Sequence, residues 1–214
     1  MTTANHSLVD QFCLAADTAL RTLTGHARVT ERPAPDKDIA DVELSAEEKK
    51  HVAGLMRINH CGEVCAQALY QGQALTARLP EVRDKMDRAA MEENDHLAWC
   101  RKRVTTLGSK TSVLDPLFYA GSFAIGALAG LAGDKWSLGF VAETEKQVVK
   151  HLDEHLQALP QQDKKSHAIL SVMKEDELHH ATNALEAGGA ELPQPIKQLM
   201  QLTSKLMTKT TYHI

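Results

Sequence analysis

Two stretches of the chain repeat one arrangement of ligand-type side chains. Glu63 is followed 30 positions later by the pair Glu93-x-x-His96, and Glu145 is followed 32 positions later by Glu177-x-x-His180. A Glu-x-x-His spacing sets both side chains on one face of a helix. Some thirty residues is enough for one helix to end and its neighbour to return antiparallel. Each half therefore reads as a helical hairpin carrying three ligands, and two such hairpins make a four-helix bundle with six ligands facing one core.

Counting alone does not establish this reading. Fifteen glutamates and eleven histidines in 214 residues produce about 0.8 Glu-x-x-His pairs by chance. Three occur, the third being Glu48/His51. Placement separates them. Glu48 closes the capping-box pattern Ser45-Ala46-Glu47-Glu48, which opens a helix, and it lies about 22 Å before Glu63 on that helix. Glu93 and His96 instead share a stripe with Met86, Ala89, Ala90, Leu97, Cys100 and Val104. Glu177 and His180 extend the stripe Leu170, Met173, Ala181 and Ala184, and Glu145 lies among Leu138, Ala142, Val149, Leu152 and Leu156. Carboxylates on an apolar stripe are costly unless paired or bound to a cation, and none of the residues sharing these stripes is basic. Four carboxylates and two imidazoles are the ligand set of a di-iron or di-manganese bundle.

The same phasing turns Glu92 and Asp95 outward beside Lys85 and Arg88. It sets Glu143 on a solvated face with Gln147, Lys150 and Glu154, and leaves Asp176 and His179 off the stripe. Tyr70 reads as a core tyrosine. His151, six residues beyond Glu145, is a candidate for orienting a ligand or substrate.

The remaining chain fits an all-α fold. Hydrophobic residues make up 43 % but aromatics only 4 %, a mixture suited to helices rather than sandwiches. Residues 7–24 read as a short helix and 26–41 as a proline-rich, charged connector, so 1–44 form an N-terminal helix and connector and 45–214 the main domain. Long helices follow from Ser45 towards Leu79 and from Pro80 to about Leu107. Asp115-Pro116 reads as a cap and first-turn proline. Further helices run from about Trp136 to Leu159, from the cap Asp163 to the stretch "EAGGAELP", and over about 195–210, six or so in all. The run "LFYAGSFAIGALAGLA" (117–132) is uncharged but shorter than the roughly 20 residues that span a bilayer. It fits either a buried helix or an element facing a membrane surface. Cys13, Cys61, Cys65 and Cys100 lack CxxC spacing and read as reduced thiols. A net charge of −4 without a basic tract argues against nucleic-acid binding, and no secretory signal opens the chain.

The stretches "RINHCGEVCAQALYQGQ" around Glu63, Glu93/His96, "VAETEKQVVKHL" around Glu145 and "EDELHHA" around Glu177 resemble the demethoxyubiquinone hydroxylases, di-iron carboxylate monooxygenases of ubiquinone biosynthesis. The resemblance covers about residues 45–190. It implies a ferritin-like four-helix bundle with additional short helices, attached peripherally to the cytoplasmic face of the cell membrane. It also implies O2-dependent hydroxylation of a polyprenyl methoxy-methyl-benzoquinol at its unsubstituted ring carbon. Glu63, Glu93 and His96 would then hold one iron and Glu145, Glu177 and His180 the other, with Glu93 and Glu177 the best candidates to bridge both. No Gly-rich dinucleotide fingerprint is present, so electrons would come from the quinol or an external reductant. Other ubiquinone-biosynthesis proteins would be possible partners. Two alternatives stay open: a ferritin- or rubrerythrin-like bundle for iron storage or peroxide handling, and a non-catalytic quinone-binding partner protein.

Overall fold

The computed structural model describes residues 8–30, 32–77 and 79–214, with the side chains of 8, 11, 12 and 80–87 left aside. Lys85 and Met86, placed above on opposite faces of one helix, thus lie outside the described side chains. Among the described residues all regular structure is helical: α1 (Leu8–Thr24), α2 (Ala46–Thr76), α3 (Pro80–Thr106), α4 (Asp115–Leu131), α5 (Asp134–Ala158), α6 (Lys164–Glu186) and α7 (Gln194–Thr211).

The helix starts follow local chemistry. Ser45 and Glu48 complete the capping box of α2, Pro80 stands in the first turn of α3, and Asp163 accepts from the Ser166 amide to cap α6. Asp115 departs from expectation: Leu114 is the cap and Asp115 is already helical. Its carboxylate sits 3.3 Å from the buried His60 Nδ1, so a tertiary contact has claimed the side chain that would have capped the helix.

Hairpins α2–α3 and α5–α6 form the bundle, joined through α3·α6 and α2·α5 contacts, while α4 crosses between them and packs along α2. That packing depends on two glycines. A Cβ at Gly72 would collide with the Phe123 carbonyl, and one at Gly126 with the Leu69 carbonyl. The apolar run 117–132 is accordingly neither wholly buried nor wholly free. Gly126, Gly130 and Tyr119 face inward, while Leu117, Leu128 and Leu131 remain at least 60 % exposed. No helix among the described residues is long and apolar enough to cross a membrane.

Of three buried apolar clusters among the described residues, two bracket the candidate site and the third joins α2, α3 and α4 through Val64, Ala68, Leu97 and Tyr119. One of the bracketing pair gathers Met56, Trp99, Cys100, Leu152, Leu170 and Met173; the other gathers Ala66, Tyr70, Leu138, Ala142 and Ala184. On each of the four bundle helices the candidate ligands fall between these clusters in sequence, which confines the polar site to a slab closed above and below by hydrocarbon. All four cysteines are free.

Candidate metal centre

α2 contributes Glu63, α3 Glu93 and His96, α5 Glu145, and α6 Glu177 and His180. All six are buried, Glu93 and His96 completely. Ligand atoms of Glu63, Glu93, His96 and Glu177 lie within 4.8 Å of one another. The Nδ1 of His96 is 3.2 Å from Glu93, 3.2 Å from Glu177 and 3.7 Å from Glu63. The Nδ1 of His180 is 3.1 Å from Glu93 and 3.3 Å from Glu177. Glu93 turns Oε2 to His96 and Oε1 to His180, and Glu177 turns Oε1 to His96 and Oε2 to His180. Each of these two carboxylates therefore spans the two imidazoles, as a bridge between two ions must.

Glu145 sits at the edge of the group. Its Oε1 accepts from the Tyr70 hydroxyl, while its buried Oε2 has no partner. Tyr70 is thus more than a core residue, because its hydroxyl holds a candidate ligand in place.

The imidazoles are oriented from behind, by residues the helical phasing had turned towards solvent. His96 Nε2 lies 2.8 Å from Asp176 Oδ2, and His180 Nε2 lies 2.7 Å from Glu92 Oε2. An ionised carboxylate only accepts, so each Nε2 carries a proton and each Nδ1 faces the cluster, where a bound cation would displace its proton and take up the lone pair. The exchange is reciprocal: α6 holds the histidine of α3, and α3 holds that of α6. Hydrogen-bonded carboxylates of this kind fix the tautomer and raise the basicity of a metal-bound imidazole. Asp176 resists its own burial, since His96 and Arg32 hold its pKa down to about 2.

Asp95 also departs from its expected outward position. It is buried, taking the Thr30 amide at 2.8 Å and the Thr30 hydroxyl at 2.6 Å. Arg32 of the same connector donates to Asp176 at 2.8 Å and stacks 4.8 Å over Trp99, whose other neighbour is the His96 ring. The connector thus crosses the back of the site. Glu143 is likewise covered rather than solvated, with Lys197 of α7 3.6 Å away and the Gln147 amide donating to it. His179 is exposed, and Glu48 stays in its capping box. One sequence signal for Glu92 and Asp176 existed. Both half-patterns read acid-Glu-x-x-His, with the extra acid immediately before the ligand glutamate.

Crowding of like charges dominates the electrostatics. Burial, then the Glu93 charge, pushes the Glu63 carboxyl well up, and burial, then Glu177, does the same to Glu145. Burial opposes charging His96, but hydrogen bonds to Asp176, Glu177, Glu63 and Glu93 outweigh it and raise its pKa well above the usual range. His180, buried but held by Glu177 and Glu93, is pushed up to about 12. Without a cation the cluster therefore retains protons. Among the described residues no lysine or arginine pairs with the four glutamates; their close ionic partners are the two histidines. The donor set fits a pair of divalent cations: four carboxylates balance four positive charges, two imidazoles complete the set, and the orphaned Glu145 oxygen gains a partner.

A cavity of about 330 Å³ opens beside the cluster between α2, α4, α5 and α7. Its wall is mostly apolar, with Ile58, Leu69, Phe118, Phe140 and Leu199 among the lining residues, and Glu63 reaches into it. His151 also lines it and meets Ser204 of α7 at 3.0 Å. Helical phase gave no sign of the cavity, since it arises from the packing of α4 and α7 on the bundle.

Comparison with known proteins identifies the family. Residues 50–211 match the family model described as "Ubiquinone biosynthesis protein COQ7". The chain belongs to the COQ7 family. Its relatives include proteins named 3-demethoxyubiquinol 3-hydroxylase. That of Pseudomonas fluorescens (strain Pf0-1) is 60 % identical over 215 residues, covering all of both chains. That of Legionella pneumophila (strain Corby) is 60 % identical over 209 residues, 97 % of this chain and 98 % of the relative. The COQ7 match includes all six candidate ligands together with Glu92 and Asp176, whereas Thr30 and Arg32 lie before it.

Proposed function

We propose that this chain is a 3-demethoxyubiquinol 3-hydroxylase that uses two iron ions and O2. In this reading Glu63, Glu93 and His96 would hold one iron and Glu145, Glu177 and His180 the other, with Glu93 and Glu177 the best candidates to reach both. The hydroxylase domain is residues 45–214, preceded by an N-terminal short helix and connector in residues 1–44. The observation that carries the reading is an apolar cavity ending on one glutamate of a buried Glu/His cluster. A flat aromatic ring with a prenyl tail suits such a wall, and an iron-storage or peroxide-handling bundle has no use for it.

When bound, the irons supply O2 activation: one oxygen atom enters the ring, and two electrons with two protons take the other to water. The electrons come from the quinol itself or from an external reductant. The protein's own part is positional. Asp176 and Glu92 hold the Nε2 protons and so present the Nδ1 lone pairs. Tyr70 steadies Glu145, and the two apolar clusters close the Glu/His slab above and below to bulk water.

Membrane attachment belongs to the same proposal. Leu117, Leu128 and Leu131 on α4, with Leu199, Leu202 and Leu206 on α7, expose large apolar side chains on the two helices that wall the cavity. A peripheral position on the cytoplasmic face of the cell membrane would let a prenyl tail enter from the leaflet. Flotation with liposomes tests the attachment, and protein that stays wholly in the aqueous fraction would refute it. Quinone profiling after gene inactivation tests the reaction. The expected result is accumulation of the demethoxy precursor, and an unchanged quinone pool would overturn the assignment.

A further inference from the structure

We propose that Asn59 orients the bound quinol ring, donating a hydrogen bond from Nδ2 to one ring oxygen. The inference rests on the hydroxylase reading above and assigns a role to a residue outside the ligand cluster. Asn59 stands four residues before Glu63 on α2, about 6 Å along the helix axis, and both line the cavity. Its side chain belongs to a residue only 6 % exposed, and Nδ2 has no hydrogen-bond partner. An unpaired buried amide donor is costly, so its retention at the wall of an apolar cavity points to an acceptor that arrives with the ligand.

The amide is not free to turn. Asn59 Oδ1 lies 3.0 Å from His155 Nδ1. Burial, with the neighbouring His151 and His51, lowers the His155 pKa to about 4, so at neutral pH the ring carries one N–H. An amide oxygen only accepts, which places that proton on Nδ1 and directs the Asn59 nitrogen away from α5's histidine.

Several other polar groups in the wall are already engaged. The Thr144 hydroxyl donates to the Phe140 carbonyl, that of Thr203 to the Leu199 carbonyl, and the Gln147 amide to Glu143. Ser204 is engaged with His151. Asn59 therefore offers a donor of fixed direction within one helical turn of Glu63. In a 1,4-quinol every other ring carbon neighbours one ring oxygen. Anchoring one oxygen thus limits which carbons face the cluster, while the apolar wall accepts the tail.

The test uses isothermal titration of the iron-loaded, full-length protein with two probes. One is a short-tailed methoxy-methyl-benzoquinone. The other is the same ring and tail with both ring oxygens replaced by hydrogen. Asn59→Leu should weaken quinone binding about tenfold and leave the deoxygenated analogue within about twofold, with iron content unchanged and the helical circular-dichroism signal retained. His155→Leu, which frees the amide to rotate, should cost the quinone about threefold and the analogue nothing. This second variant decides the matter should the first fail to fold. Equal losses for both probes, or no loss for the quinone, would overturn the role of Asn59 while leaving the hydroxylase reading intact. A wild-type protein that binds neither probe would overturn both.

Discussion

Replacing Asp176 by Asn keeps the shape and one acceptor but removes the charge behind His96. The structure sets the scale of the effect. Asp176 Oδ2 accepts from His96 Nε2 and from Arg32 Nη2, each at 2.8 Å, and these partners hold the carboxyl at about 2 despite its burial. Loss of a carboxylate that orients a metal-bound histidine costs about 10- to 100-fold in metal affinity, or about 1.4 to 2.7 kcal/mol. Asp176→Asn belongs near the upper end, because one oxygen serves two cationic or polarised donors and its side chain is only 19 % exposed. Glu92→Gln removes the corresponding support from His180 and belongs near the lower end. Glu92 is 29 % exposed, and its second partner, Arg88, is 70 % exposed and can return to water. The assay is anaerobic competition for ferrous iron with a chromogenic chelator, beside circular dichroism to confirm folding. Two folded variants that both bind iron within twofold of wild type would refute the idea that these acids prepare the histidines.

Glu177→Ala removes a carboxylate that spans both imidazoles, so the variant should bind less than one iron per chain by elemental analysis and form no hydroxylated quinone. Arg32→Met should weaken iron binding about threefold in the same chelator assay, less than Asp176→Asn, since it removes only one of that acid's two donors. His155 supplies a pH prediction. Its folded pKa of about 4 lies below the ordinary histidine value of 6.5, so the unfolded chain binds the extra proton. Stability from this group is complete above pH 6.5 and falls as pH drops through 4, by about 3 kcal/mol in all. Denaturant melts of wild type and His155→Leu should therefore converge towards pH 4, and parallel curves would refute the assignment. Gly126→Ala drives a methyl into the Leu69 carbonyl and should lower stability by about 2 kcal/mol or more, read as a reduced denaturation midpoint.

The bundle and the inward placing of four glutamates and two histidines are legible in the sequence because both rest on local rules. A residue's face on a helix follows from its position in a 3.6-residue repeat, and the caps at Ser45 and Asp163 act within four residues. Those rules place Glu93 beside His96 and Glu177 beside His180 without reference to the rest of the chain. They fail where another segment arrives. Asp95 was read as solvated because nothing on α3 covers it, yet Thr30 of the connector does. Glu92 and Asp176 were set off the apolar stripes, and they are; their partners lie on the opposite helix, 88 and 80 residues away. Glu143 was exposed in phase and is roofed by Lys197 of α7.

The same division explains the cavity and Asn59. Helical phase says which residues leave the solvent, but it carries no information about how closely two helices approach. That distance was decided by Gly72 and Gly126 meeting α4 and α2 backbone, and by α7 closing over α5. The repeated Glu and Glu-x-x-His pattern thus carries the ligand chemistry in one dimension. The orienting acids, the apolar approach to Glu63 and the free amide of Asn59 exist only once the helices have packed, because each depends on contacts between residues far apart in the chain.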